Sequence, residues 1–111
     1  MSYSDIARWQ ARIRAIRSLI AQLRNIISSC DSLTSSLSQV QNCTKEVIVN
    51  GEEYDKGKLA ESIKVLNNTK SQCSSIILAC NKKIVELENM IAAERRRLEN
   101  QNKNNNVVEQ Q

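Results

Sequence analysis

Two runs of apolar residues at heptad spacing, separated by one glycine-bearing break, decide most of what this chain can fold into. In the first run Ile6, Trp9, Ile13, Ile16, Ile20, Leu23, Ile27 and Cys30 recur every three or four residues, followed in step by Thr34 and Leu37. Apolar residues at that spacing line one face of an α-helix. A flanking row, Leu19, Ile26, Leu33, Val40 and Val47, repeats every seven residues beside it. The combined stripe is wider than a two-helix seam requires. Ser2 and Ser4, with Asp5 three beyond Ser2, offer an N-cap. A helix is expected from about residue 4 to about residue 45.

The stretch Ser28 to Ser38 holds six Ser and one Thr, residue types that favour caps and turns over helix interiors. Two readings stay open. The helix is solvated or closely packed there with small side chains, or it is kinked or locally unstable until a partner orders it.

Both glycines of the chain, Gly51 and Gly57, fall in the break, and Asn50-Gly51 is a strong turn dipeptide. Val47-Ile48-Val49 could extend as a strand, yet no second strand is available to pair with it. A connecting loop is expected over about residues 46–57. The second run then follows: Leu59, Ile63, Leu66, Lys70, Cys73, Ile77, Cys80, Ile84, Leu87, Ile91 and Leu98, with Leu78, Val85 and Ala92 in a parallel row and Ile76 widening it. It predicts a helix over about residues 58–100, with Arg95, Arg96 and Arg97 in its last turns, where cations suit the helix dipole. Gln101 to Gln111 is rich in Asn and Gln without periodicity and reads as a disordered tail. The fold class is therefore all-α: two long antiparallel helices in a helical hairpin, with a polar C-terminal tail.

Composition agrees. The 111 residues include no Pro, Phe or His and only Trp9, Tyr3 and Tyr54 as aromatics. Few breakers and few large rings suit an elongated Leu/Ile seam better than a compact globule. The net charge is +4, and its placement says more than its size. Antiparallel helices would bring Arg8, Arg12, Arg14 and Arg17 to the same end as Arg95, Arg96 and Arg97, and leave Glu52, Glu53 and Asp55 at the other. That polarity can steer a partner.

No apolar run approaches the roughly 18 residues of a membrane helix, and the N-terminus lacks the apolar core of a secretory signal. A soluble cytoplasmic protein without membrane insertion is expected, and any export would need a route that does not use such a signal.

If the main ladders face each other, Leu19, Ile26, Leu33, Val40, Leu78 and Val85 stay uncovered. Leaving six such side chains in water forgoes on the order of 10 kcal/mol. Because they stand in register, they mark an interface that another helical pair would complete.

Chemistry has little to use. The cysteines, Cys30, Cys43, Cys73 and Cys80, contain no CxxC pair, and no His exists to share a metal. With the hairpin centred near residues 53–55, Cys30 would fall opposite Cys80 and Cys43 near Cys73. Helix axes roughly 8–10 Å apart nevertheless exceed what a disulfide spans, and free buried thiols are the default. Glu86 and Glu88 point to different faces, no glycine-rich phosphate loop is present, and without His the commonest general base is missing. Asn67-x-Thr69 formally matches a glycosylation acceptor but lies mid-helix. No catalytic residue, metal site or cofactor is expected. Seven arginines at one end could meet phosphates, but Ile13 and Ile16 interrupt them, Glu94 and Glu99 bracket Arg95 to Arg97, and no aromatic platform for bases stands beside them.

The opening Met1-Ser2-Tyr3-Ser4-Asp5, the long Leu/Ile heptads, the Ser-rich middle, the glycine-bearing connector and Leu59-Ala60-Glu61-Ser62-Ile63 at the second helix together resemble the YwqH-like small helical proteins of Firmicutes. The resemblance covers about residues 1–100 and is one of pattern, not of a catalytic motif. It implies an accessory protein of a type VII (Esx) secretion system that binds the helical LXG domain of a toxin and helps target it for export. The wider relatives are WXG-type hairpins. Here the connector has no Trp-x-Gly, and no aromatic residue is followed four later by an acid: Tyr3 leads to Ala7, Trp9 to Ile13 and Tyr54 to Lys58. The resemblance then implies that the export signal comes from the toxin or from a second small helical protein. The leading expectation is a chaperone-like targeting factor that contacts its toxin through Leu19, Ile26, Leu33, Val40, Leu78 and Val85, with Arg8, Arg12, Arg95, Arg96 and Arg97 forming a basic end. A self-associating coiled-coil scaffold, homo-oligomeric when alone, is the alternative, and a basic nucleic-acid-binding hairpin is a third.

Overall fold

A computed structural model describes the backbone of residues 3–42, 47–49, 52–54 and 56–110, and the side chains of residues 3–42 and 57–104. Helix α1 spans Tyr3–Gln41, strands β1 and β2 span Val47–Val49 and Glu52–Tyr54, and helix α2 spans Lys56–Gln110. The fold is a helical hairpin in which α1 and α2 lie antiparallel. The helices form because the heptad seams run uninterrupted and neither segment contains proline to remove a ladder hydrogen bond. Ser4 lies inside α1, and Ser2, the other expected cap, lies outside the described residues.

Three boundaries differ from those the sequence suggests. First, α1 continues unbroken through the Ser-rich stretch and ends at Gln41, with Asn42 in a turn; the rest of its expected span, residues 43–45, lies outside the described ones. Second, the connector holds a two-stranded antiparallel ribbon with register Val47↔Tyr54, Ile48↔Glu53 and Val49↔Glu52. The partner missing from the sequence reading is Glu52-Glu53-Tyr54. Its two glutamates have poor strand propensity, and cross-strand backbone pairing overrides that preference. Third, α2 keeps helical form to Gln110, beyond the end expected near Asn100. No Pro or Gly follows Gly57 to stop it. Gln101 to Asn104, the part of this extension whose side chains are described, are all exposed. Arg95 to Arg97 consequently lie well inside α2 and not in its last turn, which holds no basic residue. A compensation of the helix dipole by these arginines does not apply.

The chain divides into two compact units, one of Met1–Ile20 with Leu78–Gln111 and one of Ala21–Ile77. In the first, Ile6, Trp9, Ile13 and Ile20 of α1 and Ile84, Leu87 and Ile91 of α2 are buried, with Leu87 only 1% exposed. Each such side chain contributes about 1.5–3 kcal/mol of burial. Arg17 of α1 reaches Glu88 of α2 at 3.3 Å.

The second unit is leaner. Among the described residues its buried apolar side chains are Leu23, Cys30 and Cys73, while Ile27, Leu37, Ile63 and Leu66 are half-buried. Cys30 and Cys73 take buried seam positions of the kind that the first unit fills with Ile, Leu and Trp. Asp31 of α1 and Lys70 of α2 form an ion pair. The Thr34 hydroxyl is buried without a hydrogen-bond partner among the described residues.

Candidate functional site

The seam side chains account for the inner face of each helix; the functional surface has to come from what they leave outside. In the first unit Leu19 is exposed, Leu78 is 61% exposed and Val85 56% exposed. In the second, Ile26 and Leu33 are 43% and 54% exposed. Val40, expected on the same uncovered row, is instead half-buried. Its neighbours Leu37, Ser38 and Gln41 are half-buried too, while Gln39 and Asn42 are exposed, so Val40 falls at the edge of the covered face near the end of α1. Sequence periodicity passed over Val65 on the second unit and Tyr3 and Met90 on the first, all exposed. Ile76, which widens the ladder, is exposed as well.

The first unit also gathers every member of the basic end: Arg8, Arg12, Arg14, Arg17, Arg95, Arg96 and Arg97. They are not equivalent. Arg8 pairs with Asp5 at 3.0 Å and Arg17 with Glu88 at 3.3 Å. Arg97 turns back onto Glu94, with Nη2 at 2.6 Å and Nε at 3.0 Å from the same oxygen, Oε1. Arg12, Arg14, Arg95 and Arg96 are exposed and have no ion-pair partner among the described residues. Exposed pairs such as Arg17–Glu88 contribute little to stability. The unpaired guanidiniums set the field of this unit.

Glu94 is the functional-looking residue that heptad reasoning misses. It stands on the α2 seam between Ile91 and Leu98, and is 4% exposed. The two hydrogen bonds from Arg97 hold its carboxyl below the usual glutamate range, outweighing burial, which acts in the opposite direction. The same pairing pushes the Arg97 guanidinium further up. The signal was the Glu-x-x-Arg spacing, which lets a seam carboxylate be satisfied within its own helix.

Between the helices of the first unit lies an open groove of about 440 Å³, lined by Gln10, Ile13, Arg14, Arg17, Glu88, Ile91, Ala92 and Arg95. Ile13 and Ile91 are buried seam residues and make an apolar floor. A shallower apolar depression on the second unit is lined by Lys58, Glu61, Ser62, Val65 and Leu66.

Cys30, Cys73 and Cys80 are free thiols. The expected facing of Cys30 and Cys80 does not hold. The Asp31–Lys70 ion pair brings the Cys30 level of α1 toward the Cys73 level of α2, and both thiols are buried in that unit. The reason is the ribbon, whose register centres the fold-back on Asn50-Gly51 and not on residues 53–55. Cys43 lies outside the described residues. Among those described, no group of three metal-binding side chains converges, and no helix is long and apolar enough to cross a membrane.

Compared with known proteins, the chain has no match among family models and no significant match among curated proteins or solved structures.

Proposed function

We propose that the chain is a non-enzymatic partner protein whose uncovered apolar rows are completed by the helices of another protein. The observation that carries this reading is the exposure of in-register residues: Leu78 and Val85 one heptad apart on one unit, Ile26 and Leu33 one heptad apart on the other. Scattered exposed Leu or Val is ordinary; a repeated stripe on each of two units is the pattern of a helix-docking surface. The resemblance drawn from the opening residues and heptads supplies the partner class, the helical LXG domain of a type VII toxin. On this reading the protein binds that domain in the cytoplasm and helps to target it for export, with the toxin or a second small helical protein carrying the signal.

Nucleic acid fits the surface less well. Trp9 is buried in the seam and cannot stack on bases, and Glu88 sits among the groove arginines.

The test is co-purification of the full chain with an LXG helical domain, followed by mass in solution. A stable complex lost in Ile26→Lys/Leu33→Lys or Leu78→Lys/Val85→Lys is the expected result. A folded protein that binds no such domain at micromolar concentration, or that stays a homo-oligomer in its presence, overturns the reading.

A further inference from the structure

The apolar row on α2 and the arginine groove of the first unit belong to one continuous stripe. At 3.6 residues per turn, Leu78, Val85, Glu88, Ala92 and Arg95 fall within about 100° of each other around α2. Ala92 closes the apolar row and also lines the groove, and Arg95 follows it one turn on. Across the groove, Arg14 and Arg17 are contributed by α1. Arg17 already holds a carboxylate, that of Glu88, at 3.3 Å, and both side chains remain more than half exposed. Arg14 and Arg95 hold none among the described residues. The groove thus displays the kind of group it takes and keeps two guanidiniums for more.

We infer that this groove is a docking site for the acidic end of an amphipathic partner helix. The partner's apolar residues lie over Leu78 and Val85, and its carboxylates sit between Arg14 and Arg95, about 15 Å or three turns further along. Charge complementarity selects this occupant: three guanidiniums against the single Glu88 carboxylate, over the floor of Ile13, Ile91 and Ala92. A phosphate alone would use the guanidiniums and leave that floor and the apolar row idle. An apolar helix without acids would leave the guanidiniums unanswered. The site fixes the direction and register of the bound helix, which an apolar stripe alone does not. The inference rests on the reading that helices of another protein complete this surface, and adds to it the partner's chemistry and polarity.

The experiment uses the full chain and two synthetic helical peptides that share a Leu/Ile face. One carries two Glu residues one turn apart, about three turns from the apolar contact, and its twin carries Lys there. Binding is followed by fluorescence anisotropy and located by amide chemical shifts. The Glu peptide is expected to bind at least about tenfold tighter than the Lys twin, and the order to invert in Arg14→Glu/Arg95→Glu. Shifts should centre on Arg14, Val85, Ala92 and Arg95. Arg14→Gln/Arg95→Gln should abolish the preference without inverting it, and circular dichroism should show all variants as helical as the parent. Equal binding of the twins, no binding of the Glu peptide, an order unchanged in the reversed variant, or displacement of the peptide by inorganic phosphate or duplex DNA would each overturn the inference. Binding of an LXG domain to the same protein separates the two ideas. If the domain binds and the peptides show no charge preference, only the groove assignment fails. If the Glu peptide binds as described and the domain does not, it is the proposed partner that fails.

Discussion

Arg97 places both Nε and Nη2 on a single oxygen of Glu94, three residues earlier on the same helix. A carboxylate in the seam is satisfied from within α2, so the buried charge needs nothing from α1. Such a charge is destabilising when left alone and nearly neutral when paired.

That pairing makes the first unit acid-sensitive. Because the folded-state Glu94 carboxyl is depressed below its ordinary range, its contribution is present at neutral pH and is lost as pH falls through the folded-state value. The thermal midpoint should drop with acidification below about pH 4.3 more steeply in the parent than in Glu94→Gln. Circular dichroism melts across that range check it; parallel curves would refute the assignment.

Leu87 is the most enclosed side chain of the described residues, 1% exposed. Leu87→Ala should cost about 2–5 kcal/mol, from lost burial plus the cavity left behind. Urea unfolding monitored by helicity gives the value.

Ile26 and Leu33 should behave oppositely. Both are exposed, so Ile26→Lys and Leu33→Lys should each change stability by no more than about 0.5 kcal/mol. Equilibrium unfolding of the variants measures this directly, and a larger loss would mean that the row is part of the fold.

Thr34 offers a gain. Its hydroxyl is buried with no partner among the described residues, and removing an unsatisfied polar group at equal shape should stabilise by about 1 kcal/mol. Thr34→Val should raise the urea midpoint with an unchanged slope.

The thiols should separate by burial. Cys80 is half-buried, whereas Cys30 and Cys73 are buried. In Cys43→Ser, a maleimide followed by peptide mass mapping should label Cys80 first and the other two only on unfolding.

Much of this was legible in the residues. Ile6, Trp9, Ile13, Ile20, Leu23 and Cys30 are buried as their ladder implies, as are Cys73, Ile84, Leu87 and Ile91. Burial follows period because a stripe repeating every 3.5 residues can face one neighbour throughout. The rows at Leu19, Ile26 and Leu33 and at Leu78 and Val85 are exposed for the same reason: one facing helix cannot cover two rows. What escaped was set by pairing, not by period. Glu94 looks like a surface residue until Arg97 is seen to satisfy it. Glu52-Glu53 argues against a strand until its backbone pairs with Ile48 and Val49. The groove needs Arg14 and Arg95 at one level, a fact of register that composition does not contain. Asn50-Gly51 did carry the two-residue hairpin signal, and its weight was masked by the acids that follow.

The ribbon at the connector acts as a mechanical clasp with discrete notches. Opposed strands mesh only at whole-residue steps, and a one-residue slip turns every side chain to the other face. Lengthening a soft loop could be absorbed by slack; inserting one residue between Val47 and Val49 would leave one strand a residue too long for its partner, so the ladder would have to bulge or slip. The tolerance of this protein to insertion should therefore be lowest where a connector is ordinarily most forgiving.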